Sequence, residues 1–186
     1  MRLSAAHPPT IRVPLLLGYR LHTLLCRGTG LPMLFLLARA NVHDAPFARP
    51  LLESGVRLFT LRPRVVRLDA AYWGLKLIAW IHTRLGAAAV IPWNPKRQRQ
   101  RDGLSPTWTA EELGKRTSIE RFFARVLVFF RLQRPPVFGW STVETRVALT
   151  YAAVWIIALT AWQAGRPDRI RSPRLVLAHV WEGTEM

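Results

Sequence analysis

Apolar positions in the first third of the chain gather into two runs of strand length, Gly18 to Cys26 and Leu31 to Ala38, separated by Arg27, Gly28, Thr29 and Gly30. Small polar residues and glycines between two such runs predict a β-hairpin. Asp44 then stands just before a helical pattern and predicts a helix over Ala45 to Ser54, capped by the Asp44 side chain and tolerating Pro46 in its first turn. Val65, Val66 and Leu68 predict a short interior strand over 65–68. Leu75, Ile78, Ile81 and Leu85 recur at helical spacing, so a helix is expected over Ala71 to Leu85, stopped by Gly86. Ala87 to Ile91 reads as one more short interior strand.

Pro92 to Pro106 is a polar, basic connection. Beyond it, Thr109 with Glu112 makes a capping box, which predicts a helix from Ala110 to about Arg131 that ends before Pro135 and Pro136. Ser141 with Glu144 makes a second box and opens a last long helix, with Gly165 as its stop and Pro167 preventing continuation. Met1 to Pro14 carries Pro8, Pro9 and Pro14 without a sustained period, so residues 1–17 read as an irregular segment and 18–186 as one domain. The alternation of strands and helices argues for an α/β class. A chain of 186 residues with 50% hydrophobic content is sufficient for one core. Cys26 has no second cysteine to pair with, and the N-terminus lacks the pattern of a secretory signal; both fit a reducing cytoplasm.

Charge adds a partner to this picture. There are 27 basic residues against 11 acidic ones, a formal charge of +16, and the arginines are spread through most segments. Such a chain is drawn to phosphate backbones, although a membrane surface or ribosomal RNA satisfies the same charge. Lys96, Arg97, Arg99 and Arg101 lie between Trp93 and Trp108, so phosphate-binding charge sits beside stacking surfaces; a solvated loop is an equally weighted reading. Val147 to Gly165 contains no charged residue and approaches the roughly 20 positions that span a bilayer. That run supports a rival class, a small basic membrane protein anchored by the helix at 142–164 with arginines on the cytoplasmic side.

The acids are few enough to be examined individually. In Lys115 to Arg125 (KRTSIERFFAR) a helix places Arg116 and Glu120 one turn apart on one face. In Leu68 to Gly74 (LDAAYWG) Asp69 follows a short apolar strand. Taken singly, Asp69 is an N-cap and Glu120 half of an exposed helix ion pair. Together they are two carboxylates for a divalent-metal site. His22 and His43 read as hydrogen-bonded structural histidines, and Phe122, Phe123, Phe129 and Phe130 as packing that fastens the Glu120 helix to the sheet.

With these segments in view, the chain resembles the DDE transposases of bacterial insertion sequences, whose catalytic domain is ribonuclease-H-like. Gly18 to Glu53 (GYRLHTLLCRGTGLPMLFLLARANVHDAPFARPLLE) is similar to the family's second and third strands and first helix, LDAAYWG to the segment with its second catalytic Asp, and KRTSIERFFARV to its arginine-x-x-x-glutamate signature. The resemblance implies a mixed sheet flanked by helices, with Asp69 as the second metal-ligating acid, Glu120 as the third and Arg116 as the accompanying arginine. It implies two Mg²⁺ or Mn²⁺ ions that activate a nucleophile and stabilise the leaving oxygen in DNA strand cleavage and transfer. DNA, as transposon ends and target, is the implied partner, with a homodimer assembled on it and Lys96, Arg97, Arg99, Arg101 and Arg125 as phosphate contacts. The family's first acid lies on the strand before Gly18 to Cys26, whereas Met1 to His43 contains no Asp or Glu. The expectation is therefore an N-terminally truncated transposase, lacking its first strand and impaired in catalysis. Leu113 and Leu127 also stand where the family often has a tyrosine and a basic residue.

Overall fold

The computed structural model describes residues 18–92, 117–133, 136 and 138–182. The N-terminal segment 1–17, the basic run with its two tryptophans, the Thr109 and Glu112 box, Leu113 and Arg116 lie outside the described residues.

The expected hairpin forms. Strand β1 (Tyr19–Leu25) pairs antiparallel with β2 (Pro32–Arg39), Tyr19 opposite Arg39 and Leu24 opposite Leu34, with a register shift at Leu25. Its turn closes through Gly30 N–H donating to Cys26 O at 2.7 Å and Cys26 N–H donating to Leu31 O at 3.0 Å. Gly30 has φ 68°, a conformation that favours glycine.

Helix α1 (Ala45–Phe59) runs a turn beyond its expected end. Asp44 occupies the N-cap position but makes no side-chain cap bond, which corrects the expected capping. Its carboxylate instead accepts from Arg20 Nη1 at 2.8 Å, a charge-assisted bond that takes the oxygen from the helix N-terminus. Gly55 allows α1 to approach the hairpin, since a side chain there would run into Leu24.

Strand β3 (Val65–Arg67) pairs in parallel with β4 (Ala88–Val90), Val66 opposite Ala89. Between them the single helix expected over Ala71 to Leu85 is divided into a 3-10 turn over Ala70–Tyr72 and helix α2 (Leu75–Leu85). Trp73 is buried in the core and Gly74 is extended, so tertiary burial of the indole wins over helical continuity. Gly86 closes α2 as expected, at φ 60° with its N–H donating to the His82 and Ile81 carbonyls. Antiparallel and parallel pairing are thus both present, but in two separate two-stranded sheets instead of the one mixed sheet expected. Among the described residues no strand joins β1 to β3.

Helix α3 (Thr117–Ala124) continues into a π turn over Arg125–Phe129, where Leu132 N–H donates to Val126 O at 3.2 Å. Helix α4 (Trp140–Gln163) begins one residue before the expected box. Val143 N–H already donates to Gly139 O, so Ser141 lies inside the first turn and forms no cap; this corrects the second capping box. After Gly165, at φ 67°, come a 3-10 turn over Pro167–Arg169 and α5 (Pro173–Glu182).

Alternation along β1 divides the core, because successive strand residues face opposite ways. Leu24 points to α1 and joins Leu52, Val66, Trp73, Ile81 and Ala89. Leu21, Leu25 and Phe35 point the other way, to Phe122, Val126, Val147 and Tyr151 of α3 and α4. The hairpin is a middle layer between α1 and the α3–α4 pair. Among the described residues α4 is the one helix long and apolar enough to cross a membrane. Its buried side, with Val143, Val147, Tyr151, Ile157 and Ala161, is part of the core.

Candidate functional site

Asp69 stands just past the end of β3, where Leu68 N–H still donates to Val90 O at 3.1 Å. Its backbone is extended, φ −74° and ψ 160°, and its Oδ1 accepts from Ala70 N–H at 2.7 Å, so it caps the 3-10 turn. The carboxylate is exposed at the C-terminal end of a parallel strand.

The turn carries Tyr72 back toward β1. Tyr72 Oη lies 2.5 Å from His22 Nδ1. His22 is 4% exposed, stacked on Phe47 at 4.6 Å between ring centroids, and its Nε2 faces Asp44 Oδ1 across 4.0 Å without a hydrogen bond. Asp44 is held from its other side by Arg20. Burial pushes the Tyr72 phenol up to about 12, with Asp44 and Asp69 adding to the shift and Arg20 opposing it. Both carboxylates therefore act on one hydroxyl. Burial pulls His22 below its ordinary value, against Asp44, which raises it, and with Arg20 also lowering it. His22 is thus the hydrogen-bonded histidine expected from sequence, whereas His43 is exposed.

Glu120 is exposed on α3, two positions before the fully buried Phe122. Arg125 is half-buried, and its Nη1 donates to Arg171 O at 2.8 Å and its Nη2 to Gly30 O at 3.2 Å. Burial, with Arg171 nearby, lowers its guanidinium pKa. The side chain ties the hairpin turn to the segment before α5, so two of its donors are committed to main-chain carbonyls.

A family model described as the transposase DDE domain matches residues 16–156, from before β1 to well inside α4. The chain belongs to the transposase DDE domain family. No curated protein and no solved structure matches it. Membership places the chain in DNA transposition and implies DNA as its partner. The matched span takes in Arg20, His22, Asp44, Asp69, Tyr72, Glu120 and Arg125, and stops short of α5.

The family generally works with divalent metal ions, which prefer several oxygen ligands around one position. Among the described residues no three His, Cys, Asp or Glu side chains gather into such a cage. The turn of Asp69 meets the His22 side of the hairpin, while the helix of Glu120 packs on the Leu21 and Phe35 side. Among the described residues the donor set does not fit a two-ion centre.

Sequence reasoning singled out Asp69 and Glu120 and did not anticipate the cluster of Arg20, His22, Asp44 and Tyr72. One signal was available. Three segments, Gly18 to His22, Asn41 to Asp44 and Asp69 to Gly74, each carry polar residues beside apolar runs, and all three lie in stretches that resemble the family. That they converge is a tertiary fact, with Arg20 and Asp44 separated by 24 positions and His22 and Tyr72 by 50.

Proposed function

We propose that this chain is a DNA-binding member of the transposase DDE domain family whose strand cleavage and strand transfer are impaired. The observation that carries the reading is the family match over residues 16–156. In this reading Asp69 and Glu120 are the second and third acids, Arg116 accompanies Glu120, and Mg²⁺ or Mn²⁺ is the ion they would hold in a complete site. The first acid has no candidate between Met1 and His43, which contain neither Asp nor Glu. Two carboxylates on elements packed against opposite faces of one hairpin bind an ion weakly and place it poorly, and errors of about 1 Å can cost on the order of 100-fold in rate. A ribonuclease-H-like arrangement over 18–186 would need a further strand between β1 and β3 to unite the two small sheets.

The +16 charge supports DNA binding, which the family match favours over the other anionic partners. Lys96, Arg97, Arg99 and Arg101 are the proposed phosphate contacts, while Arg125 enters as the clamp that holds α3 to the hairpin turn. The test is retardation of labelled duplex DNA by the full chain as salt rises. Affinity is expected to fall by about 10³-fold or more between 50 and 200 mM salt, and the slope to flatten when Lys96, Arg97, Arg99 and Arg101 are neutralised together. Partition into detergent without DNA retardation would overturn the reading in favour of a membrane protein.

A further inference from the structure

Three segments distant in sequence meet at one buried imidazole. His22 comes from the middle of β1, faces α1 with Leu36 opposite it on β2, and is pinned by the Phe47 ring. With 4% of its surface exposed it cannot swing into solvent. Tyr72 is the last residue of the turn that Asp69 caps, and its N–H donates to Asp69 O at 3.0 Å. None of the three turn residues is buried. The phenol's hydrogen bond to His22 and the buried Trp73 just beyond tie the turn to the core.

We infer that His22 is a positioning residue for Asp69: through the Tyr72 hydroxyl it fixes the turn that presents this carboxylate. Its functional meaning rests on the proposed role of Asp69, but its physical content does not. The phenol stays protonated throughout the neutral range, so Tyr72 donates and Nδ1 accepts. The ring proton then sits on Nε2, facing Asp44. A second proton would have to enter at Nδ1, where the phenol oxygen would have to turn from donor to acceptor to keep the bond.

The charged and titratable groups facing the ring are Arg20 on its own strand, Asp44 at the entry to α1, and Tyr72 on the turn. Phe47 of α1 and Leu36 of β2 add no charge. Because burial lowers the His22 pKa in the fold, the unfolded chain binds this proton more readily. The fold is favoured most above the unfolded value near 6.5, and that advantage is lost as pH falls through it toward the lower folded value.

Hydrogen exchange of the backbone amides at 70–74 in the full chain, at one fixed pH, tests the inference. Protection at Tyr72 and Trp73 is expected to fall about tenfold in Tyr72→Phe, the scale of one lost hydrogen bond. His22→Leu leaves the phenol without its partner and is expected to show the same low protection. His22→Gln offers an amide oxygen to the phenol, so its protection is expected to stay close to that of the unaltered protein. Full protection in Tyr72→Phe or His22→Leu, or low protection in His22→Gln, would each overturn it. Since neither metal nor DNA is present, such a failure leaves the catalytic assignment of Asp69 standing. Failure of that assignment in a cleavage assay likewise leaves this result untouched.

Discussion

The two faces of the β1–β2 hairpin are held by different forces. Toward α1, Arg20, Asp44, His22 and Tyr72 form a chain of directional polar contacts that leads to Asp69. Toward α3 and α4 the contact is largely apolar, with Phe122 and Val126 at 0% exposure against Phe35 and Tyr151, and with polar links from Trp155 Nε1 to Pro32 O at 2.7 Å, from Arg125 Nη2 to Gly30 O at 3.2 Å and between the Thr23 and Tyr151 hydroxyls at 2.6 Å. One proposed acid thus depends on directional hydrogen bonds. The other rides on a helix fastened by packing. Positioning by polar contacts is angular; positioning by burial is robust but fixes the helix more than the tip of a side chain it carries.

The largest expected effect is on the packed face. Phe122→Ala removes a fully buried ring and should cost about 3–5 kcal/mol in urea unfolding. A loss below about 1 kcal/mol would show that α3 is fastened by something other than this packing. Next is the clamp at the hairpin turn. Arg125→Met leaves the Gly30 and Arg171 carbonyls without their donor and should cost about 1–3 kcal/mol, while Arg125→Lys should recover only part because an ammonium cannot fork to both. Full recovery by lysine would reduce the clamp to simple charge. The smallest effect sharpens the contrast between the faces. Tyr151→Phe deletes the hydroxyl that meets Thr23 and should cost about 0.5–1.5 kcal/mol, with the same loss at pH 8 and pH 5. Burial raises the Tyr151 phenol pKa, so no proton moves on that face in this range. A pH-dependent loss there would break the comparison.

Legibility in the sequence follows the range of the forces involved. The hairpin, the Gly86 stop and the two short interior strands were readable because their signals lie within a few residues of the structure they specify. The break at Trp73 was not, because it depends on a core assembled from Leu52, Val66 and Ile81. Two of the expected side-chain caps did not form, Asp44 being drawn to Arg20 on a neighbouring strand and Ser141 being displaced by an earlier start at Gly139. Asp69 and Glu120 are proposed from motif and spacing alone. The tie from Asp69 back to His22 was not, since no local pattern records which strand residue a tyrosine will reach.

The central proposal is that Asp69 and Glu120 are two acids of a transposase site for which residues 1–43 offer no third. Its most direct test is a strand-cleavage and joining assay of the unmodified chain on labelled DNA carrying the element's own ends, with Mg²⁺ or Mn²⁺ supplied. Little or no turnover is predicted, together with salt-sensitive retention of the same DNA. Robust metal-dependent turnover that disappears in Asp69→Ala would contradict the account and show that another residue of this chain completes the site.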